Sequence, residues 1–203
     1  GIATFSMDLR NSLLVNNVDV DILAISDNSY QYDYPAEVKF NIKQTKADDY
    51  TDAAQYVNDC KDIDAVIIQH EYGIFGGANG KYVLNFARKL KKPYLVVTHT
   101  VLPKPLQGQK DVLNKLCAKA SGVVCMTKQS SLLLTNLYGV NKSKIQIIGH
   151  GVPYFEPKSN QELKEKYSLL NKQVISTFGL IGPGKGLELG IKAMAEVVKE
   201  HPE

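Results

Sequence analysis

The stretch IDAVIIQHEYGIFGGANGKYVLNFARKLKKPYLVVTHT, residues 63–100, decides the fold. It opens on an apolar run, IDAVIIQ (63–69), passes through a segment at 79–90 with apolar residues at three- and four-residue spacing, and closes on a second apolar run, PYLVVT (93–98). Val- and Ile-rich runs without polar alternation belong to strands buried on both faces. A helical segment between two of them is the βαβ unit of a parallel sheet.

The same alternation extends in both directions. Further strands are expected at about 19–26, 37–43 (EVKFNIK), 122–126 (GVVCM) and 144–148 (KIQII), with helices through about 48–60, 108–121 and 128–137. Asp48 and Asn79 are the side chains placed to cap two of these helices. No internal repeat interrupts the pattern, which excludes a solenoid. The chain opens on GIATFSMDLRNSLL (1–14), read as a loop leading into an amphipathic helix. Doubly wound domains begin with a strand, so the expectation is that the first strand of this domain lies ahead of Gly1.

At 203 residues the chain is longer than one typical domain and shorter than two of about 150 residues each. The expected division is a Rossmann-like domain over 1–153, a polar connector over 154–172, and the opening of a second domain over 173–203. That opening consists of a strand VISTF (174–178), a glycine-rich turn and a helix LELGIKAMAEVVKE (187–200). One βα unit cannot bury its own apolar face. The fold class is therefore α/β: a Rossmann-like open parallel sheet followed by the first βα unit of a second Rossmann-like domain.

Composition removes several function classes. A content of 44% hydrophobic and 22% charged residues is that of a globular chain. The net charge of +3 is spread along the sequence and leaves no electrostatic footprint for nucleic acid. The one basic run, Lys89, Lys91 and Lys92, closes a helical segment, where cations complement the helix dipole. Three cysteines without CxxC spacing, Cys60, Cys117 and Cys125, point to a reducing compartment, neither a disulfide framework nor a zinc site. No apolar run approaches the roughly 20 residues that span a bilayer, and the expected location is cytoplasmic.

Ligands of open α/β sheets bind beyond the carboxyl ends of the strands, so the segments after each strand are where chemistry is sought. They are QHEYGIFGG (69–77), THTVLP (98–103), GHGVP (149–153) and GLIGPGKG (179–186). The last has the GxxxxGK spacing of a phosphate-binding loop between a strand and a helix, with Gly182, Gly184 and Lys185 as its anion-facing residues. Gly186 stands where a P-loop needs Ser or Thr for magnesium, which argues against an NTPase; a plain helix-start turn is the structural alternative. His99 is either a donor to a sugar hydroxyl or phosphate oxygen, or a buried, hydrogen-bonded structural residue. His70 and Glu71 lack the second histidine of HExxH, which excludes that zinc chemistry. Glu71 and Tyr72 read as polar contacts to a hydroxylated ligand. Gly76 and Gly77 serve either a tight turn or a close approach of ligand to backbone. His150 and Gly151 form either a hinge turn before Pro153 or a ligand contact. No GxSxG or nucleophile–base pair supports hydrolysis.

The order QHEYGIFGG, THT, HGVP, FGLIGPGKGLE resembles glycosyltransferase family 4, retaining enzymes of the GT-B fold, over nearly the whole chain. The resemblance implies a two-domain enzyme that moves a sugar from a UDP- or GDP-sugar donor to a carbohydrate or glycolipid acceptor. It implies no cofactor and no essential metal. By position, His99 matches the catalytic histidine near the donor sugar. Gly1, Gly182, Gly184 and Lys185 match donor-diphosphate positions, Glu71, Tyr72, Gly76 and Gly77 the acceptor-side loop, and His150 and Gly151 the hinge at the cleft.

Many members carry GRLxxxKG, and Leu180 replaces that arginine here. The family's paired-glutamate motif falls beyond Glu203, so this chain is expected to be inactive alone. Contact with a membrane face is compatible with a lipid-linked acceptor. The alternatives are a non-catalytic nucleotide- or glycan-binding module and a nucleotide-sugar epimerase of the same fold.

Overall fold

A computed structural model describes residues 1–27, 32–153, 155–179, 181–182 and 185–201. The chain divides into two compact units, Gly1–Pro153 and Tyr154–Glu203.

The first unit runs α1 (Ile2–Val15), β1 (Ile22–Ser26), β2 (Val38–Lys43), α2 (Ala47–Asp59), β3 (Val66–His70), α3 (Val83–Lys89), β4 (Tyr94–Thr98), α4 (Gln107–Lys119), β5 (Gly122–Cys125), α5 (Lys128–Asn136) and β6 (Ile145–Ile147). Every described strand pair is parallel. The α/β Rossmann-like class read from the sequence is the observed one, with each strand trimmed by a residue or more at one end or both.

One expectation changes. The single open sheet is present as two ladders, β1–β2 and β3–β4–β5–β6.

The core lies under α2, α3 and α4. Tyr50, Ala53, Ala54 and Val57 bury one stripe of α2, and Val112, Leu113, Leu116 and Cys117 do so on α4. Full burial of a Val or Leu side chain contributes about 1.5–3 kcal/mol, against about 0.3–1 kcal/mol for an acidic residue in a first turn, so packing sets these helices. Asp48 accordingly sits inside the first turn of α2, whose N-cap is Lys46 without a side-chain bond. Asn79 is no cap either. It adopts a left-handed conformation (φ 56°) in a short 3₁₀ turn, Ala78–Gly80, ahead of α3. α1 starts at once at Ile2 and buries none of its residues. Lys92 donates to the carbonyls of Cys60 and Ile63, tying the chain between α2 and β3 to the start of β4.

In the second unit, α6 (Asn160–Lys166) is capped by the Ser159 side chain, and α7 (Leu187–Glu200) begins at Gly186. The strand expected at 174–178 is not formed. A strand is defined by its ladder, and among the described residues of this unit there is no second strand to supply one. Ile175, Phe178, Ile181 and Ile191 are exposed, as an unburied βα face requires.

Candidate functional site

Three segments meet at the carboxyl ends of β3, β4 and β6. His99 follows β4 directly, and its backbone N–H donates to the His70 carbonyl at 3.0 Å. Its Nε2 lies 2.8 Å from Gln69 Oε1. A carbonyl oxygen accepts, so Nε2 carries the hydrogen and the neutral ring keeps its lone pair on Nδ1. Phe5, one turn into α1, stands edge-on to His99 and also to His150, with ring centroids 4.7 and 5.1 Å away. Burial lowers the pKa of His99, with Glu71 opposing and His150 adding to the shift. Gly1, the N-cap of α1, is thereby one helical turn from this aromatic cluster, since Phe5 N–H donates to the Gly1 carbonyl at 3.0 Å.

Glu71 is committed within the protein. One oxygen accepts from the Tyr72 backbone N–H at 2.8 Å and the other from the Thr100 hydroxyl at 2.7 Å. Tyr72 is committed too. Tyr138 donates its hydroxyl to the Leu102 carbonyl, so the Tyr72 hydroxyl, 3.0 Å away, donates to Tyr138. Burial and this bond push the Tyr72 phenol well above its usual range. What Tyr72 presents to a ligand is its ring.

That ring helps to line a cleft of about 430 Å³, together with Gln44, Thr45, Phe75, Asn79 and Gln109 and the backbone of Gly76 and Gly77. The glycines are sterically required. A Cβ on Gly76 would stand 1.8 Å from the Gln44 carbonyl oxygen, and Gly77 has φ 76° with the Tyr82 ring 2.7 Å from its Cβ position. Tyr50 fixes the wall by donating to the Gln44 carbonyl at 3.0 Å and accepting from the Gly76 N–H at 2.9 Å.

His70 is 3% exposed, and its Nδ1 has no hydrogen-bond partner. It lies against Tyr72 and Phe75, and burial depresses its pKa to about 4. Among the described residues, no group of three His, Cys, Asp or Glu side chains is placed to hold a metal ion.

His150 is exposed, its Nδ1 2.7 Å from the Gly151 carbonyl oxygen; Gly151 has open space around its Cβ position. In the second unit Lys185 is exposed, and its N–H donates to the Gly182 carbonyl at 3.3 Å. Gly186 is left-handed (φ 71°) as the cap of α7, which explains why no Ser or Thr stands there. Gly184 and Leu180 lie outside the described residues.

The structure thus joins His99 to Gln69, Phe5 and His150, and gathers Tyr72, Gly76 and Gly77 around the cleft. Lys185 and Gly182 belong to the other unit. Sequence reasoning missed Gln69, Phe5, Gln44, Asn79 and Gln109 as site residues. A polar residue closing the apolar run IDAVIIQ was the available signal for Gln69; Phe5 follows a helical period indistinguishable from a core position.

A family model described as Glycosyltransferase Family 4 matches residues 1–154. No curated protein matches the chain. Among the described residues no helix is long and apolar enough to cross a membrane.

Proposed function

We propose that this chain, which belongs to glycosyltransferase family 4, supplies the acceptor-side domain of a retaining glycosyltransferase. It would take a UDP- or GDP-sugar, need no metal ion, and act in the cytoplasm on a carbohydrate or glycolipid acceptor in polysaccharide synthesis. Residues 154–172 would then be the interdomain connector and 173–203 the opening of the donor-binding domain.

The observation that carries the reading is His99, held by Gln69 and covered by Phe5 at the carboxyl edge of the sheet. With Nε2 engaged, Nδ1 is the nitrogen left to accept from a donor-sugar hydroxyl. The reaction breaks the bond between the anomeric carbon and the diphosphate oxygen and forms one to the acceptor oxygen. The diphosphate leaves with the electron pair, and the acceptor hydroxyl gives its proton to the departing diphosphate oxygen. Lys185 and helix N-terminal amides are suited to the leaving charge.

The test is sugar transfer by the encoded protein with UDP- and GDP-sugars, against Lys185→Ala and His99→Ala. Loss of turnover in both supports the assignment, and unchanged turnover removes it. Calorimetric titration with the free nucleotides identifies the donor class.

A further inference from the structure

The cleft beside the 69–77 loop carries chemistry that narrows its ligand. Resting on the acceptor-side reading above, we infer that it takes a neutral, hydroxyl-rich saccharide and rejects sugar phosphates and sugar acids.

Among the described residues, no Lys, Arg, Asp or Glu side chain lines the cleft. Lys81 is exposed and does not line it, although its Cγ lies 3.0 Å from where a Cβ on Gly77 would stand. Beside the Thr45 hydroxyl, the polar side chains that line it are three amides, two of them with their hydrogen bonding half used. Gln44 commits Nε2 to the Gly73 and Ile74 carbonyls at 2.8 and 3.1 Å, which leaves Oε1 as an acceptor. Gln109 commits Oε1 to the Leu106 N–H at 2.8 Å, which leaves Nε2 as a donor. Asn79 contributes a whole amide from its left-handed backbone position. Its Nδ2 would stand 2.1 Å from a Cβ on Gly108, so α4 approaches it closely enough to fix its direction.

A wall of separate donors and acceptors matches hydroxyl groups, each of which donates and accepts. A phosphate or carboxylate only accepts. It would meet the Gln44 and Asn79 oxygens unpaired, with no cation among the described lining residues to offset desolvation. The ring of Tyr72 and the side chain of Phe75 add the apolar surface that the carbon face of a sugar covers. About 430 Å³ falls in the range of small-molecule sites.

The experiment is a titration of the ¹⁵N-labelled 203-residue chain, reading the side-chain amide signals of Gln44, Asn79 and Gln109. The probes are maltose, cellobiose and lactose, against glucose 1-phosphate and glucuronic acid. Saturable shifts at these amides with at least one neutral disaccharide, and none with the charged sugars, are expected. Gln109→Glu keeps the bond to Leu106 N–H while removing the donor, and should weaken the neutral ligand about tenfold. Asn79→Asp, which tolerates the same backbone, provides a second variant in case the first perturbs folding. Shifts with the charged sugars, silence with every neutral one, or unchanged affinity in both variants would overturn the inference.

The two readings fail separately. Neutral sugars bound at the cleft by a protein that never transfers would remove the transferase and leave the cleft assignment. Transfer onto a sugar phosphate would do the reverse.

Discussion

Phe5 and His99 meet edge to face, their ring centroids 4.7 Å apart and their planes at 89°. The contact joins the first turn of α1 to the residue after β4, across 94 positions of sequence. It has an electrostatic consequence, because a ring that excludes water from one side of an imidazole disfavours its charged form. His99 is therefore held neutral at the sheet edge, with Gln69 selecting which nitrogen carries the hydrogen.

Gln69→Glu should reverse that balance. The substitution is nearly isosteric and places a carboxylate 2.8 Å from Nε2, where opposite charge favours the imidazolium. The His99 titration followed by NMR should move upward relative to the parent chain, and activity of the encoded protein should acquire a matching pH dependence. A titration that stays in place would mean that Gln69 does not govern the ring.

Tyr50→Phe isolates the support of the cleft wall. The hydroxyl removed accepts from the buried Gly76 N–H and donates to the Gln44 carbonyl, from a side chain 1% exposed. A buried group left unpaired costs about 1–3 kcal/mol, so a stability loss near 2 kcal/mol is expected from denaturant unfolding. Faster hydrogen exchange at Gly76 should accompany it. Gly76→Ala should be worse, since a Cβ has only backbone to displace at 1.8 Å.

What could be read in the sequence follows from which forces are local. β4 and α4 were legible because Tyr94–Thr98 is an apolar run and Val112, Leu113, Leu116 and Cys117 keep helical spacing, patterns that burial imposes directly. The strand expected at 174–178 is not formed, because VISTF has strand composition but no strand to pair with among the described residues of its unit. Composition records propensity, and pairing is nonlocal. At the site, His99 stood out as a histidine after a strand. Phe5 and Gln44 reach the site across long sequence separations, and Tyr72 turns its hydroxyl inward to Tyr138. None of these has a sequence signature.

The thiols offer a direct check on burial. Cys117 is fully buried, and desolvation raises its pKa to about 12; the Cys125 thiol is raised by the same cause. Only the thiolate reacts, so both should resist a thiol-modifying reagent in the folded chain, while the half-buried Cys60 reacts first. All three should react in denaturant. Prompt modification of Cys117 without unfolding would contradict the packing of α4.

His70 sets a pH dependence of stability whose sign follows from its burial. The unfolded side chain titrates near 6.5, whereas the folded one, 3% exposed and unpartnered at Nδ1, stays neutral down to about 4. Between those values the unfolded state holds the extra proton, so stability falls as pH drops below 6.5 and levels off near 4. The gap between 6.5 and about 4 sets a ceiling of roughly 3–4 kcal/mol on this effect. Above pH 6.5 this residue contributes no slope. In the window from about pH 6.5 to 5 His70 dominates, with His99 contributing in the same direction. His70→Leu removes both the proton site and an unpaired polar atom. It should leave stability at pH 7 unchanged or slightly higher, and flatten most of the slope in that window. Denaturant midpoints across the pH series, for parent and variant, measure this; parallel curves would place the acid sensitivity elsewhere.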